Sequence, residues 1–401
     1  MPISARIKAS MTSKSAGVIR KMFEEGLRLK SIHGQDNVFD FSIGNPDLDP
    51  PVEVADAIEE FGKCREKNFH GYMPNAGFQS TRDAMAEKTS QEQGVEVHGD
   101  CVVMSVGAAG ALNVLMKAIL NPGDRVVVPS PYFTEYRHYV ENFGGTLVEV
   151  PTASDFSLDV EAIGNALDEN TAAVLINSPN NPSGKVYTDD EIRRLAEALD
   201  SHGKKTGRHP FLICDEPYRA IIYDGKKVAA TFPVYKNSVV VTSFAKNFSL
   251  PGERIGYICV NPACPEKDDV VSACIYTTRV LGFVNAPALM QRVVAKSWNS
   301  PADMSLYEKR RNELVEILDE AGIVHANPEG AFYLWCKVPE GFDGDDMDFC
   351  DHLKKYLILA APGSGFGGRG WFRLAYCTSE KSIINSRSAF VRAMKECPLK
   401  K

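Results

Sequence analysis

Between about residue 100 and residue 260, short runs of β-branched residues alternate with longer segments whose apolar residues recur at helical spacing. The runs that we predict as strands are Val102–Ser105, Val126–Val128, Ala172–Ile176, Phe211–Cys214 and Val239–Thr242. Strands that alternate with helices are typical of α/β proteins, in which helical crossovers join parallel strands. We therefore predict an α/β fold with a mostly parallel sheet that is covered by helices.

Two segments between these strands carry clear helix signals. In the first, the apolar residues that share one helical face are Ala108, Leu112, Leu115, Met116 and Ile119. The second begins at Thr188, which can form a capping box with Glu191 ahead of an amphipathic run. Both segments are predicted to be helices that pack on the sheet.

The chain changes character after about residue 300. A charged helix at Tyr307–Ala321 is followed by the run Phe332–Val338, and a second helix near Asp346–Lys355 is followed by Trp371–Cys377. Runs of this kind predict a smaller α+β domain. We expect residues 52–290 to form a large domain, and residues 1–51 with 291–401 to form a small domain with an N-terminal arm.

Composition and charge restrict the partners. The 401 residues carry a net charge of −7 and no cluster of Lys or Arg, which disfavours nucleic acid. Residues 1–14 lack an apolar run of signal-peptide length, and no later stretch approaches the roughly 18 apolar residues of a membrane span. The 10 cysteines form no C-x-x-C pair and the 8 histidines no metal-binding spacing. We expect a cytoplasmic protein that binds no metal, membrane or nucleic acid.

Polar or glycine-rich clusters follow the predicted strands. They are Ser105–Ala109, Pro131–Phe133, Asn177–Gly184, Asp215–Tyr218 and Ser243–Lys246, the last with Arg254 eight residues further on. Ligands of open α/β sheets bind outside the carboxyl ends of the strands. The clusters should therefore converge on one ligand site.

The order of these motifs is specific. N-N-P-S-G at 180–184 is followed by D-E-P-Y at 215–218, S-x-x-K at 243–246 and F-R-L at 372–374. This ordered set resembles the class I and II aminotransferases of fold type I, which are similar to aspartate aminotransferase, and the resemblance covers nearly the whole chain. It implies that pyridoxal 5′-phosphate binds to the large domain.

Lys246 and Asp215 carry the chemistry that this cofactor requires. A partly desolvated primary amine adds to a carbonyl carbon, so Lys246 is the predicted point of attachment, through a Schiff base. Asp215 ends an apolar strand, where an unpaired carboxylate would be costly, and a protonated pyridine nitrogen would pair with it. The alternative for Asp215 is an ion pair with an arginine.

The resemblance also assigns the groups around the cofactor ring. Asn181 and Tyr218 correspond to the pair that hydrogen-bonds the phenolic oxygen of the cofactor, and Tyr218 is counted with Lys246 as catalytic. Phe133 corresponds to the aromatic residue that stacks on the ring, or Tyr132 if the alignment slips by one residue. Packing alone would also explain a tyrosine or a phenylalanine at these positions.

A phosphate site is expected where a strand gives way to a helix at Gly107, Ala108 and Ala109, because free backbone N–H groups meet the helix dipole there. Ser243 and Arg254 would complete it. The family often carries a hydroxyl or a lysine where this chain has Ala108 and Ala109, so two side-chain contacts are expected to be absent.

Substrate and subunit contacts follow from the same resemblance. Arg373 corresponds to the arginine that binds the α-carboxylate of the substrate, and Gly44 lies in the loop that closes over it. Tyr72 corresponds to a tyrosine that reaches the phosphate in the neighbouring subunit. A homodimer with shared active sites is thereby implied.

The predicted reaction is a ping-pong transamination through pyridoxamine phosphate, in which Lys246 moves the proton. Aspartate is the favoured amino-acid donor and 2-oxoglutarate the acceptor. One branch of the family binds a distal carboxylate with a lysine near the position of Ala109, and another uses an arginine of the partner subunit, for which Arg279 is a candidate. Arg279 could equally be an exposed or packing residue.

Three alternatives remain. The chain could transaminate aromatic or other neutral amino acids, or it could be a β-eliminating lyase that uses the same cofactor. A non-enzymatic regulator that senses the cofactor is disfavoured, because the roughly 40 residues before Gly44 are too short for a helix-turn-helix with its own core.

Overall fold

The computed structural model describes residues 3–12 and 18–400 of the chain. In these ranges the strands are β1 (Phe39–Asp40), β2 (Val102–Ser105), β3 (Arg125–Ser130), β4 (Thr146–Pro151), β5 (Thr171–Asn177), β6 (Phe211–Asp215), β7 (Ser238–Ser243), β8 (Gly256–Val260), β9 (Tyr333–Lys337), β10 (Ile358–Leu359), β11 (Ala361–Pro362) and β12 (Trp371–Ala375). All five predicted strands are confirmed as β2, β3, β5, β6 and β7. Strands β4 and β8 were not predicted.

The helices of the described residues surround these strands. They are α1 (Ala5–Thr12), α2 (Val18–His33), α3 (Val52–Gly62), α4 (Gln79–Gln93), α5 (Gly107–Ile119), α6 (Tyr136–Glu141), α7 (Val160–Ala166), α8 (Asp189–Thr206), α9 (Lys267–Val280), α10 (Ala288–Ser297), α11 (Ser305–Ala321), α12 (Asp346–Lys354) and α13 (Glu380–Lys395). The predicted capping box is confirmed, because Thr188 accepts from the backbone of Glu191 and the Glu191 side chain accepts from that of Thr188. None of these helices is both long and apolar enough to cross a membrane.

The large sheet has the strand order β2-β8-β7-β6-β5-β3-β4 among the described residues. Strand β8 is antiparallel to both of its neighbours, and the remaining pairs are parallel. The predicted α/β fold with a mostly parallel sheet is therefore confirmed.

Both faces of this sheet are buried, which explains why its strands are continuous apolar runs. Successive side chains of a strand point to opposite faces. Accordingly Val127 packs in one apolar cluster, with residues of α8 and α10, while Val126 and Val128 pack in the cluster that contains residues of α5 and α9.

A separate core lies in the C-terminal third of the chain. Strand β12 pairs antiparallel with β11 and β9, and α11 packs against α13. Strand β1 pairs with β10, through Phe39 opposite Ile358, and so attaches the N-terminal segment to this part. The predicted boundary at residue 290 falls inside α10, and the division into domains stays a prediction. Residues 1, 2 and 13–17 of the predicted arm lie outside the described residues.

Candidate active site

Three neighbouring parallel strands end in polar residues at the same edge of the sheet. Asn177 ends β5 and lies opposite Asp215, which ends β6, and Ser243 ends β7. This edge opens into a cavity of about 260 Å³. The predicted site residues that line it are Gly44, Ala108, Ala109, Phe133, Asn181, Asp215, Tyr218, Ser243, Lys246, Arg254 and Arg373. The clusters that were expected to converge therefore do so.

Lys246 is half-buried in the wall of this cavity, and its Nζ donates to the carbonyl oxygen of Gly44 at 2.7 Å. Burial lowers the pKa of Lys246 to about 8, with the positive charges of Arg373 and Arg254 acting in the same direction and Cys377 opposing them. With this pKa, about a tenth of the amine is unprotonated at pH 7 and about half at pH 8. The unprotonated amine is the nucleophilic form.

Asp215 has one oxygen in use and one free. Its Oδ2 accepts from the hydroxyl of Tyr136, whereas Oδ1 is buried without a hydrogen-bond partner among the described residues. Burial raises the pKa of Asp215 to about 7, the bond from Tyr136 opposes this, and Glu216 adds to it. A cation placed at Oδ1 would restore the charged form. No arginine pairs with this carboxylate in the part of the chain that is described, so the alternative of an Asp–Arg pair does not occur there.

Arg373 lies across the cavity and is 2% exposed. Its Nη1 donates to Oδ1 of Asn181 at 2.9 Å, and its Nη2 donates to the carbonyl oxygen of Ser42 at 2.8 Å. Its Nε finds no acceptor among the described side chains and backbone. A buried guanidinium held in this way presents a free donor to an incoming carboxylate.

Asn181 is held in place by Asn177, the last residue of β5. Its backbone N–H donates to Oδ1 of Asn177 at 2.7 Å, and Asn177 Nδ2 donates to the carbonyl oxygen of Asp215 at 2.8 Å. These bonds connect the ends of β5 and β6 with the arginine that faces them. The loop after β5 is therefore held in one position relative to the cavity.

The predicted phosphate-binding segment lies at the start of α5, where Gly107 and Arg254 come together. Gly107 has φ +78°, and a Cβ on it would lie 3.1 Å from Nη2 of Arg254, so the backbone and the guanidinium are in close approach. Arg254 is anchored by a bond from its Nη1 to the carbonyl oxygen of Pro251 at 2.9 Å. Together with Ser243 and the N–H groups that begin a helix, these residues can bind a phosphate.

Of the two candidates for the aromatic position, Phe133 lines the cavity and Tyr132 does not. Phe133 lines the cavity, while the hydroxyl of Tyr132 donates to Glu149 at 2.9 Å, away from it. Tyr136 packs edge-to-face on Phe133 with ring centres 5.6 Å apart. The first of the two predicted registers is the one that the geometry favours.

Two predicted residues lie outside the cavity. Tyr72 is 93% exposed, and Arg279 is exposed with its guanidinium carbon 5.4 Å from the ring of Tyr276. Within one chain neither of them reaches the other predicted site residues. Both would need a second subunit to contribute to an active site.

The sequence reasoning missed Tyr136, Tyr139 and Tyr333. Tyr136 binds Asp215, while Tyr139 and Tyr333 line the cavity. Tyr136 and Tyr139 lie three positions apart in α6, three and six residues after Phe133, and this spacing was a usable signal that they share its side of the chain. Tyr333 gave no such signal, because it lies in an apolar strand and reads as core.

Comparisons with known proteins agree with this geometry. The profile of the aminotransferase class I and II family matches residues 36–385. A probable aspartate/prephenate aminotransferase of Aquifex aeolicus is 33% identical over 98% of this chain and 99% of its own length. The solved amino transferase of Eubacterium rectale is 37% identical with a TM-score of 0.93, covering 99% of both chains. The aspartate aminotransferase of Thermus thermophilus, solved with maleate, is 29% identical with a TM-score of 0.86 over 98% of this chain and 100% of that one. The chain therefore belongs to the class I and II aminotransferase family.

Proposed function

We propose that this aminotransferase transfers the amino group of L-aspartate to a 2-oxo acid such as 2-oxoglutarate, and that both half-reactions use the one cavity. The observation that carries the proposal is that Arg373, held by Asn181 and Ser42, faces the amine of Lys246 in the same cavity. An α-amino acid needs a group for its carboxylate beside a group that acts at its Cα. The names of the relatives support aspartate as the donor.

Class I and II aminotransferases of this type use pyridoxal phosphate. The cofactor supplies an aldehyde that takes up the amino group and a pyridine ring that accepts electrons from Cα of the substrate. The residues of the cavity fit it, because the free Oδ1 of Asp215 suits a protonated pyridine nitrogen and the segment at Gly107 and Arg254 suits a phosphate. Lys246 would hold the aldehyde carbon.

The chain's own residues then have distinct tasks. Lys246 moves the proton at Cα of the substrate, since its lowered pKa lets the amine accept and return a proton near neutral pH. Asp215 stays charged when it has a cationic partner, and Tyr136 orients it. Asn181 and Tyr218 donate toward the oxygen of the cofactor, and Arg373 fixes the orientation of the substrate.

The distal carboxylate of aspartate requires a further cation. The cations that line the described cavity are Lys246, Arg254 and Arg373, and each already has a task. We propose that Arg279 of a partner subunit binds this carboxylate. A neutral amino acid is the second candidate donor, favoured by Ala109 and Leu112 on the cavity wall.

We also propose a homodimer in the cytoplasm. Tyr72 is 93% exposed. Helix α9 and the turn after it also expose large apolar side chains, those of Tyr276, Val280 and Phe283. Tyr72 lies close to that turn in space, since Asn75 donates to the carbonyl oxygen of Val284. An exposed patch of this kind is suited to a subunit interface. All 10 cysteines are unpaired, as expected in a reducing compartment.

The test is the visible absorbance of the protein purified with pyridoxal phosphate, recorded before and after addition of L-aspartate, L-glutamate, L-phenylalanine or L-alanine. We expect a visible band that aspartate removes and 2-oxoglutarate restores, and that is absent in Lys246→Ala. Lys67→Ala, at an exposed position, is the matched control and should behave like wild type. No band in the wild type would refute the proposal, and a band that only a neutral donor removes would refute aspartate.

The role of Arg279 is tested by Arg279→Ala. Loss of the cation should lower kcat/KM for aspartate at least about tenfold and leave kcat/KM for alanine unchanged. An equal effect on both donors would contradict a role in recognition. Sedimentation of the wild type would separately establish whether it is a dimer.

A further inference from the structure

Three of the predicted site residues meet at a side chain that the sequence did not single out, Tyr333 in β9. The centre of its ring lies 4.4 Å from the guanidinium carbon of Arg373. Its hydroxyl oxygen lies 2.8 Å from that of Tyr218. A Cβ on Gly44 would lie 2.0 Å from the same hydroxyl, so the loop backbone passes directly over it. Tyr333 is 2% exposed and is therefore fixed in these contacts.

The ring of Tyr333 has a clear relation to Arg373. A guanidinium over an aromatic face is attracted by the quadrupole of the ring, and the attraction is stronger when both groups are desolvated. Phe366 adds a second ring at 4.7 Å from the same carbon. The two rings restrict the guanidinium, while Asn181 and Ser42 accept from its two Nη atoms. The Nε donor is left without an acceptor among the described residues.

The hydroxyl of Tyr333 has a separate relation to Tyr218. A phenol has one proton to donate. If Tyr218 donates its proton into the cavity, the bond between the two phenols must run from Tyr333 to Tyr218. Burial raises the pKa of both phenols, to about 12 for Tyr333, so both keep their protons at neutral pH. The guanidinium of Arg373 lowers the pKa of both phenols, and its carbon lies 4.4 Å from the centre of the Tyr333 ring.

We propose that Tyr333 is a positioning residue with two tasks: its ring orients Arg373 toward the substrate carboxylate, and its hydroxyl donates to Tyr218 so that Tyr218 donates to the cofactor. The inference rests on the proposed function and extends it to a residue outside the recognised motifs. An O–H group that accepts one hydrogen bond is a stronger donor in the next, because the bonds polarise each other. Removing the Tyr333 hydroxyl should therefore weaken the donation by Tyr218.

Two substitutions separate the two tasks. Tyr333→Phe removes the hydroxyl and keeps the ring, whereas Tyr333→Leu removes both. Tyr376→Phe is the matched control, since Tyr376 is a buried tyrosine outside the cavity whose hydroxyl donates to that of Tyr223 at 3.3 Å. None of these variants substitutes an ionisable group around the phenol pair. Those groups are Lys246, Arg254, Asp215, Tyr136, Arg373 and Cys377.

The role of the hydroxyl is tested by a pH titration of the holoenzyme, which gives the midpoint pH of the change in its visible absorbance. A weaker bond to the anionic oxygen of the cofactor should raise the midpoint in Tyr333→Phe by about half a pH unit. In a Tyr218→Phe background the same substitution should cause no further shift, because the two residues act as one unit. An unchanged midpoint, or an equal shift in the Tyr218→Phe background, would overturn the role of the hydroxyl.

The ring is tested by the dissociation constant of succinate, an unreactive dicarboxylate, measured by absorbance titration. Tyr333→Phe should bind it as wild type does, and Tyr333→Leu should bind it about three to ten times more weakly. Unchanged affinity in Tyr333→Leu would overturn the role of the ring. Tyr376→Phe should change neither reading, and if it shifted them to the same extent the effect would be one of fold alone. A wild type without a visible band would instead refute the proposed function.

Discussion

Replacing Gly44 by alanine would place a methyl group against the ring of Tyr333. The new Cβ would lie 2.0 Å from the hydroxyl oxygen and 2.7 Å from Cζ. Ordinary contact begins at 3.4 Å, so the loop and the ring must separate by about 1.4 Å. Tyr333 is buried and its hydroxyl is bonded to Tyr218, which leaves the loop as the part that moves.

That movement would break bonds in the site. The carbonyl oxygen of Gly44 accepts from Lys246 at 2.7 Å, and that of Ser42 accepts from Arg373 at 2.8 Å. Overpacking of a buried position costs about 1–3 kcal/mol, and loss of bonds to charged groups places this case at the upper end. We expect the free energy of unfolding of Gly44→Ala to fall by about 2–3 kcal/mol. KM for the amino-acid donor should rise about tenfold because Arg373 loses one of its supports.

The assay combines urea unfolding with steady-state kinetics. Gly62→Ala is the matched control, since a Cβ there meets nothing within 4 Å and the residue ends helix α3. Alanine is favoured over glycine in a helix by up to about 1 kcal/mol, so the control should be unchanged or slightly more stable. A Gly44→Ala protein with wild-type stability and KM would refute the close approach on which this reasoning depends.

Three further predictions concern single groups. Burial raises the pKa of Asp215 to about 7 in the folded, cofactor-free protein, whereas in the unfolded chain this carboxyl loses its proton at about pH 4. Between pH 4 and pH 7 the folded state therefore binds more protons than the unfolded state, and the free energy of unfolding falls as the pH rises. Asp215→Asn should remove this slope and raise the free energy of unfolding at pH 8 by up to about 4 kcal/mol, and identical urea midpoints at pH 5 and pH 8 in the wild type would contradict this. The pKa of Lys246 is lowered from 10.5 to about 8. The rate at which the cofactor-free protein reacts with pyridoxal phosphate should therefore rise with pH and level off near pH 8. A rate that still rises about tenfold per pH unit at pH 9 would contradict the lowered pKa. Tyr72→Phe should weaken cofactor binding by about three- to tenfold in equilibrium dialysis although Tyr72 is 93% exposed in the single chain, and unchanged affinity would argue against a shared site.

Local patterns were enough to predict the main elements of the site. Asp215 and Lys246 were found because each lies at or just beyond the end of an apolar strand, and both line the cavity. The cap at Thr188 was found because a capping box is a pattern of four residues. Features of this kind depend on neighbours in the chain, so the sequence alone can indicate them.

Other elements escaped because their local patterns are weak. Only Leu147 and Val150 of strand β4 are buried, and the strand begins and ends on exposed residues, Thr146 and Pro151. Strand β8 begins two residues after Arg254 and runs antiparallel to both of its neighbours, β2 and β7. The pairing partner and the direction of a strand depend on residues far away in the chain, which a short window cannot contain.

The sequence by itself determined which residue types stand at the strand ends, and so the amine, the carboxylate and the arginines that the reaction needs. The tertiary structure decided which of them touch. Lys246 bonds to Gly44 across 202 positions and Arg373 to Asn181 across 192, while Tyr333, an ordinary core residue by pattern, became the contact between Arg373 and Tyr218. The physical reason is that the residue types at the end of a strand can be recognised from neighbouring residues in the chain. A side-chain contact of 3 Å depends instead on how whole sheets and helices pack against each other.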